Sequence, residues 1–147
     1  MFPAPLLTTD EIQLFLQDYP EANVLLDKEE FSPAYMQFCI SLAVSEFNSM
    51  SPRSNFSDVS FPSKSILLYG ALWQMFLGAA AKQARNQLTY SDGGLTIPIE
   101  EKYELYKNLA DTFGTQFTSS ASRLKISLNM EAGWGSVSSD EAAFPTW

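Results

Sequence analysis

Few side chains in this sequence are of the kinds that move protons, hold metals or attack carbon, and their spacing scatters them. The 147 residues include no histidine, which removes the commonest general base and the commonest metal ligand together. Histidine-based triads, HExxH sites and zinc deaminase patterns fall away with it. The single cysteine, Cys39, has neither a histidine to activate it nor a second thiol to bond. It falls on an apolar helical face, where a small core residue belongs. The acids come as neighbours: Asp10-Glu11, Glu29-Glu30 and Glu100-Glu101. Adjacent positions diverge around a helix, so these pairs read as helix-start acids or solvated surface, not as a glycosidase couple. Gly93-Gly94 lacks the Lys-Ser/Thr of a phosphate loop, and Gly133-Trp134-Gly135 has no strand-to-helix context. Asp92-Gly93-Gly94 reads as a turn that needs positive φ; a calcium loop would require a longer run of oxygen ligands. Lys64, Lys82 and Arg85 are too few to read nucleic acid and are expected to face solvent or to meet acids across an interface. The chemistry-bearing residues therefore predict no catalytic site, no cofactor and no metal.

What positions these residues is a set of helices. The stretch Ser63–Leu88 is the most apolar in the chain, with Ile66, Leu67, Tyr69, Ala71, Leu72, Trp73, Met75, Phe76 and Leu77 leaving almost no polar face. Such a helix must be covered on several sides, by its own domain or by a neighbouring chain. Its uncharged run from Ser65 to Ala81 is 17 residues and holds Gln74 and two glycines. That is short of a membrane span, so a buried central helix is expected and no membrane. Tyr69, Trp73 and Phe76 read as core before ligand cage.

Around it, Thr8 and Glu11 form a capping-box pattern ahead of Ile12, Leu14, Phe15 and Leu16, predicting a helix from Thr9 to Tyr19 ended by Pro20. Asn23–Asp27 reads as a loop or a one-pair strand fragment whose leucines plug the core. Ser32-Pro33 starts a second helix to about Ser49, with Tyr35, Phe38, Cys39, Leu42, Ala43, Phe47 and Met50 on its buried face. Ser51–Pro62 is a loop whose Phe56, Val59 and Phe61 pack along the domain. Short alternating runs about Asp92-Gly93-Gly94 predict a β-hairpin near 88–97 that needs support from elsewhere. Ile99, Tyr103, Tyr106, Ala110, Phe113, Phe117, Ala121, Leu124 and Leu128 then predict a helix from Glu100 to about Asn129, roughly 45 Å long. Gly114 and Thr118-Ser119-Ser120 are places where it would bend or break. Its end, 123–130, also fits a strand carrying Leu124, Ile126, Leu128 and Met130 on one side.

The resulting expectation is a mainly α fold: a bundle of about four helices over residues 1–130, with a short β-hairpin, and an extended C-terminal arm over 131–147. Its core should hold Phe38, Leu42, Leu72, Trp73, Phe76, Tyr106 and Phe113. Large aromatics are seldom useful on a free polar tail, so Trp134, Phe144, Pro145 and Trp147 are expected to dock on a partner, with folding back on their own domain or simple disorder of the tail as the alternatives. No secretory signal is visible at the N-terminus. The net charge is -8, with nine acids against two bases in residues 1–60 and near balance afterwards. That field opposes tight attachment to a phosphate backbone, while suiting solubility or a surface past which a polyanion slides.

Four features together give a family resemblance. They are the Thr8-capped first helix with Leu25-Leu26 after it, and the Ser32–Met50 helix ending near a Ser-Pro. The others are the FP-x₄-LL-x-GA stretch at 61–71 and the Arg85–Gly94 segment leading into a tyrosine-bearing helix. Over about residues 8–120 the chain resembles the head–tail connector (adaptor or neck) proteins of tailed phages. That resemblance implies a structural virion protein at the head–tail junction, assembled in the host cytoplasm. It implies a homo-oligomeric ring, commonly of twelve subunits, with portal protein and an adjacent neck or tail protein as partners, and DNA passing through unread. The C-terminal arm would embed in the portal or the next ring. Another small tail or baseplate protein, or a non-viral helical protein-binding module, is the alternative.

Overall fold

A computed structural model describes residues 4–23, 28–86, 90–92, 95–97 and 102–134. The first helix, α1 (Thr9–Leu16), carries the expected capping box: Glu11 N–H donates to Thr8 Oγ1 at 3.3 Å and Thr8 N–H to Glu11 Oε2 at 3.0 Å. It stops short of Tyr19 because Gln17 turns left-handed (φ 54°) and its N–H closes on the carbonyls of Gln13 and Leu14. Asp18 then commits its carboxylate to amides twelve and thirteen residues away. The segment 24–27, with the leucines expected to plug the core, lies outside the described residues.

The second helix, α2 (Pro33–Ser49), starts and ends where its cap and proline place it, Ser32 Oγ accepting from Tyr35 N–H. Its buried stripe is Met36, Cys39, Ile40, Ala43, Val44 and Phe47. Phe38 is not in the core: it is 56% exposed, and Leu42 is only half-buried. The correction follows from helix geometry. Once Met36 and Ile40 define the inward direction, Phe38 lies roughly 200° from each, on the far side of the helix.

The central helix, α3 (Lys64–Asn86), packs on α2 along one side and on α4 (Lys102–Trp134) along another. Leu72 and Phe76 of α3 and Tyr106 of α4 are buried as expected; Trp73 and Phe113 are half-buried against the same core. Aromatic contacts run through it in series: Phe31 on Phe76, Phe76 on Tyr106 and Phe113, Phe113 on Tyr69, with centroids 5.8–6.2 Å apart. A second aromatic group, Phe47, Phe56 and Phe61, ties the 51–62 loop to the end of α2.

Helix α4 passes Gly114 unbroken. A Cβ there would sit 2.9 Å from the Trp73 indole nitrogen, so the glycine makes room for packing and does not mark a hinge. Thr112, Thr115 and Thr118 donate to the carbonyls four residues back and leave the ladder intact. The strand reading of 123–130 is overturned: those residues are helical, and the helix continues through the first four residues of the expected arm.

The hairpin expected near 88–97 does not enter the fold as a β-layer, and the fold class is corrected accordingly. Three residue pairs join Tyr90–Asp92 (β1) to Leu95–Ile97 (β2), with Tyr90 opposite Ile97. A lone ladder this short has little stability of its own, and all extensive packing between different parts of the fold runs helix to helix. The framework is a mainly α four-helix bundle, and β1 and β2 pair only with each other and form no layer of it.

Two outcomes test this packing. At Gly70 an added Cβ would lie 2.7 Å from Phe117 and 2.8 Å from Ala43 Cβ. Gly70→Ala should therefore lower stability by about 1–3 kcal/mol despite alanine's better helix propensity. Gly133→Ala, which meets nothing within 4 Å, should not; urea midpoints compare the two. Burial pushes the Cys39 thiol from 9.0 up to about 11. The unfolded chain releases that proton near 9 and the fold holds it until about 11, so stability present below pH 9 falls as pH rises across this window. The loss should be of order 2 kcal/mol, and Cys39→Ala should remove it from the denaturation profile.

Candidate functional site

Asp18 is where the surface near the start of α2 begins to take shape. Its side chain is 4% exposed, and its two carboxylate oxygens accept from Glu30 N–H at 2.7 Å and Phe31 N–H at 2.9 Å. Asn23 donates to the same carboxylate and to the Lys28 carbonyl. Residues 28–31 are thereby fixed across the ends of three helices: the start of α2, the last turns of α3 and the first turns of α4. Tyr106 closes the arrangement by donating its hydroxyl to the Glu30 carboxylate.

These elements enclose two adjoining clefts of about 540 Å³ each, which share Glu30, Ser32, Lys82 and Gln83. Lys28 and Lys102 line one and Arg85 the other, with Lys82 in both. Four of the nine basic residues of a chain with net charge -8 thus gather at one end of the bundle. Glu29 and Glu30 are the acids among the described lining residues, and against them Lys28, Lys82 and Arg85 leave that lining cationic. Lys28, Lys82 and Arg85 make no ion pair with any described residue. The floor is apolar, from Phe31, Tyr35, Ala79 and the Tyr106 ring. Tyr35 is held there by donating to the Met75 carbonyl at 3.1 Å, and burial raises its phenol above the ordinary tyrosine range.

A different surface lies along α1. Leu14 and Phe15 are 66% and 52% exposed, yet they are attached to the core: Phe15 meets Phe113 edge-on at 6.4 Å. With Leu7 and Leu68 they line an apolar groove of about 470 Å³. Lys64 and Glu11 pair at its edge, and that ammonium holds the Glu11 carboxyl below its ordinary value, helped by the Thr8 amide. Leu105 and Leu109 continue from Phe113 along α4 at intervals of four, and Leu105 is 57% exposed.

The far half of α4 is anchored by a residue that hydrophobic spacing does not reveal. Lys125 is 2% exposed. Its ammonium donates to the carbonyls of Pro52 at 2.8 Å and Met50 at 3.3 Å and to Ser54 Oγ at 2.6 Å, and lies 4.5 Å over the Phe47 ring. A cation at the C-terminal end of α2 is favoured by the helix dipole. Burial alone lowers its pKa. Asn48 fixes the same loop, bonding Phe56 through both its amide and carbonyl groups.

The residues singled out in the sequence divide by place. Asp92 ends β1, while Gly93 and Gly94 lie outside the described residues, as do Phe144, Pro145 and Trp147. Trp134 is the last residue of α4. Lys82 and Arg85, expected at solvent or an interface, are brought together with Lys28 and Lys102. Lys64 finds its acid within the chain. Among the described residues no group of three or more Cys, Asp or Glu side chains is placed to hold a metal ion, and no helix is long and apolar enough to cross a membrane. Comparison with protein-family models, curated proteins and solved structures returns no match for this chain.

Lys125→Met keeps the aliphatic stem but leaves the part-buried Met50 and Pro52 carbonyls without their donor. It should destabilise the protein by about 1–3 kcal/mol and speed amide hydrogen exchange in residues 50–56 ahead of the α2 core.

Proposed function

We propose that this chain is a helical protein-binding module that works as a subunit of an assembly, its first partner being another copy of itself. The observation that carries the reading is the apolar surface of α1 and α4, where Leu14, Phe15 and Leu105 stand open to solvent around the half-buried Phe113. Single exposed leucines are ordinary on a globular surface. Here Phe15 is joined through Phe113 to the core, and Leu14 and Phe15 line an apolar groove. Surfaces of that kind are covered in the working state more often than they are left wet.

The connector ring is the narrower form of the same reading, and it rests on the sequence resemblance alone. In that form the module would pack side by side around a DNA channel and meet a portal ring. Helix α4, roughly 50 Å long against roughly 35 Å for α3, gives such a wall its height and carries Ile126 and Met130, both more than half exposed, beyond the shared core.

Sedimentation over a concentration series should give a species heavier than the 16.4 kDa chain. Leu14→Ser, Phe15→Ser and Leu105→Ser together should shift it to the monomer with helicity unchanged. A chain that sediments as a monomer at every concentration, with or without those changes, removes the proposal. Co-sedimentation with a portal ring separates the narrower form from the broader one.

A further inference from the structure

The cationic clefts call for an anionic occupant with an apolar group beside it, and the sequence contains one. Beyond Trp134 the chain reads Gly-Ser-Val-Ser-Ser-Asp-Glu-Ala-Ala-Phe, with Asp140 and Glu141 three to four residues ahead of Phe144. Lys28, Lys82 and Arg85 suit the two carboxylates. The apolar floor of Phe31, Tyr35 and Tyr106 in the cleft that Lys82 and Arg85 line suits the phenyl ring, which an extended chain carries roughly 10 Å past Glu141.

Reach decides whose segment this is. The clefts sit at the start of α4, beside Tyr106, whereas Trp134 is at its other end. The 28 residues between them span roughly 42 Å of helix. Glu141 is seven residues past Trp134 and extends at most about 25 Å from it, and Phe144, ten past, at most about 36 Å. A chain therefore cannot place its own Asp140 and Glu141 in its own clefts, whereas a neighbour's segment is not held to that limit. We infer that the segment around Asp140–Phe144 of one copy docks in the Lys28/Lys82/Arg85 clefts of the next, a head-to-tail contact between copies. This rests on the self-associating module proposed above and names a contact through which it associates. A heterologous contact of this type closes into a ring or runs on as a filament according to the rotation between neighbours.

Charge exchange on the full-length chain tests it. Lys82→Glu with Arg85→Glu should weaken self-association at least about tenfold, and Asp140→Lys with Glu141→Lys should do the same. Combining all four should restore association to within about threefold of the original, because the pairing is re-created with its signs reversed. Lys82 and Arg85 are exposed, so circular dichroism should be unchanged throughout. Single-side variants that associate like the original, or a combined variant as weak as either parent, overturn the inference. In those cases association that still collapses on removing Leu14, Phe15 and Leu105 leaves the module reading standing, whereas a chain monomeric throughout takes both away.

Discussion

The fold depends on how closely three helices can approach at one point. Helix α3 is apolar around most of its circumference, so burying one side of it would still leave leucines and aromatics in water. Gly70 lets two neighbours reach it at once: the Phe117 ring of α4 and the Ala43 methyl of α2 both press into the space a Cβ would take. With any side chain there, either α2 or α4 would have to stand off. Each large side chain moved out of water near this point contributes roughly 1.5–3 kcal/mol. Those contributions stand against the conformational entropy of ordering the chain, and a standoff of about an ångström along α3 would forfeit several of them.

Covering α3 in this way fixes what remains uncovered. Helices α2 and α4 each turn one face inward, and α1 packs against α2, leaving Leu14 and Phe15 outward. The connections are then set by three polar nodes. Asp18 gathers Asn23, Glu30 and Phe31, Asn48 gathers Ser54 and Phe56, and Lys125 clamps the carbonyls of Met50 and Pro52 to α4. No buried side-chain nitrogen or oxygen among the described residues lacks a partner, and a half-satisfied node would be unfavourable in so apolar a setting. Each node joins a loop to a helix or to a distant stretch of chain, so the loops become walls. The cationic clefts exist because the Asp18 node holds residues 28–31 across three helix ends.

These constraints separate the parts of the fold that were legible in the sequence from those that were not. Helix existence came through plainly because caps and periodicity are local: Thr8 with Glu11, Ser32 with Pro33, and the 3–4 spacing of α4. The early stop of α1 did not, since it depends on where Asp18 finds its amides, a matter of tertiary structure. Phe38 misled because Tyr35, Phe38 and Leu42 form a stripe as regular as the buried one; only the position of α3 tells which faces inward. Gly114 misled in the opposite sense, resembling a breaker while serving as a seat for Trp73. Lys125 was hidden because a lysine in an amphipathic helix reads as solvent-facing, and nothing local shows that three acceptors and a ring wait beneath it. The hairpin signal at Asp92-Gly93-Gly94 was local too, but a turn signal carries no information on whether a layer exists to receive the strands.

The clefts were the least legible feature. Lys28, Lys82, Arg85 and Lys102 are spread over 75 positions, and in sequence order each is a lone base among neutral or acidic neighbours. Folding converts them into a single local field, and the acid-rich N-terminal half makes that field stand out by contrast. The long α4 then separates this positive end of the molecule from Trp134 by a distance that a short segment cannot retrace. Beyond Leu128 the described side chains of α4 are exposed, so the helix carries the chain away from its own core. A bundle with its cationic clefts at one end and Trp134 at the other is polar along its length. A tail-to-cleft contact between copies so arranged is exchanged reciprocally in an antiparallel two-fold pair or passed on from copy to copy in a ring or filament, and the rotation between neighbours decides which.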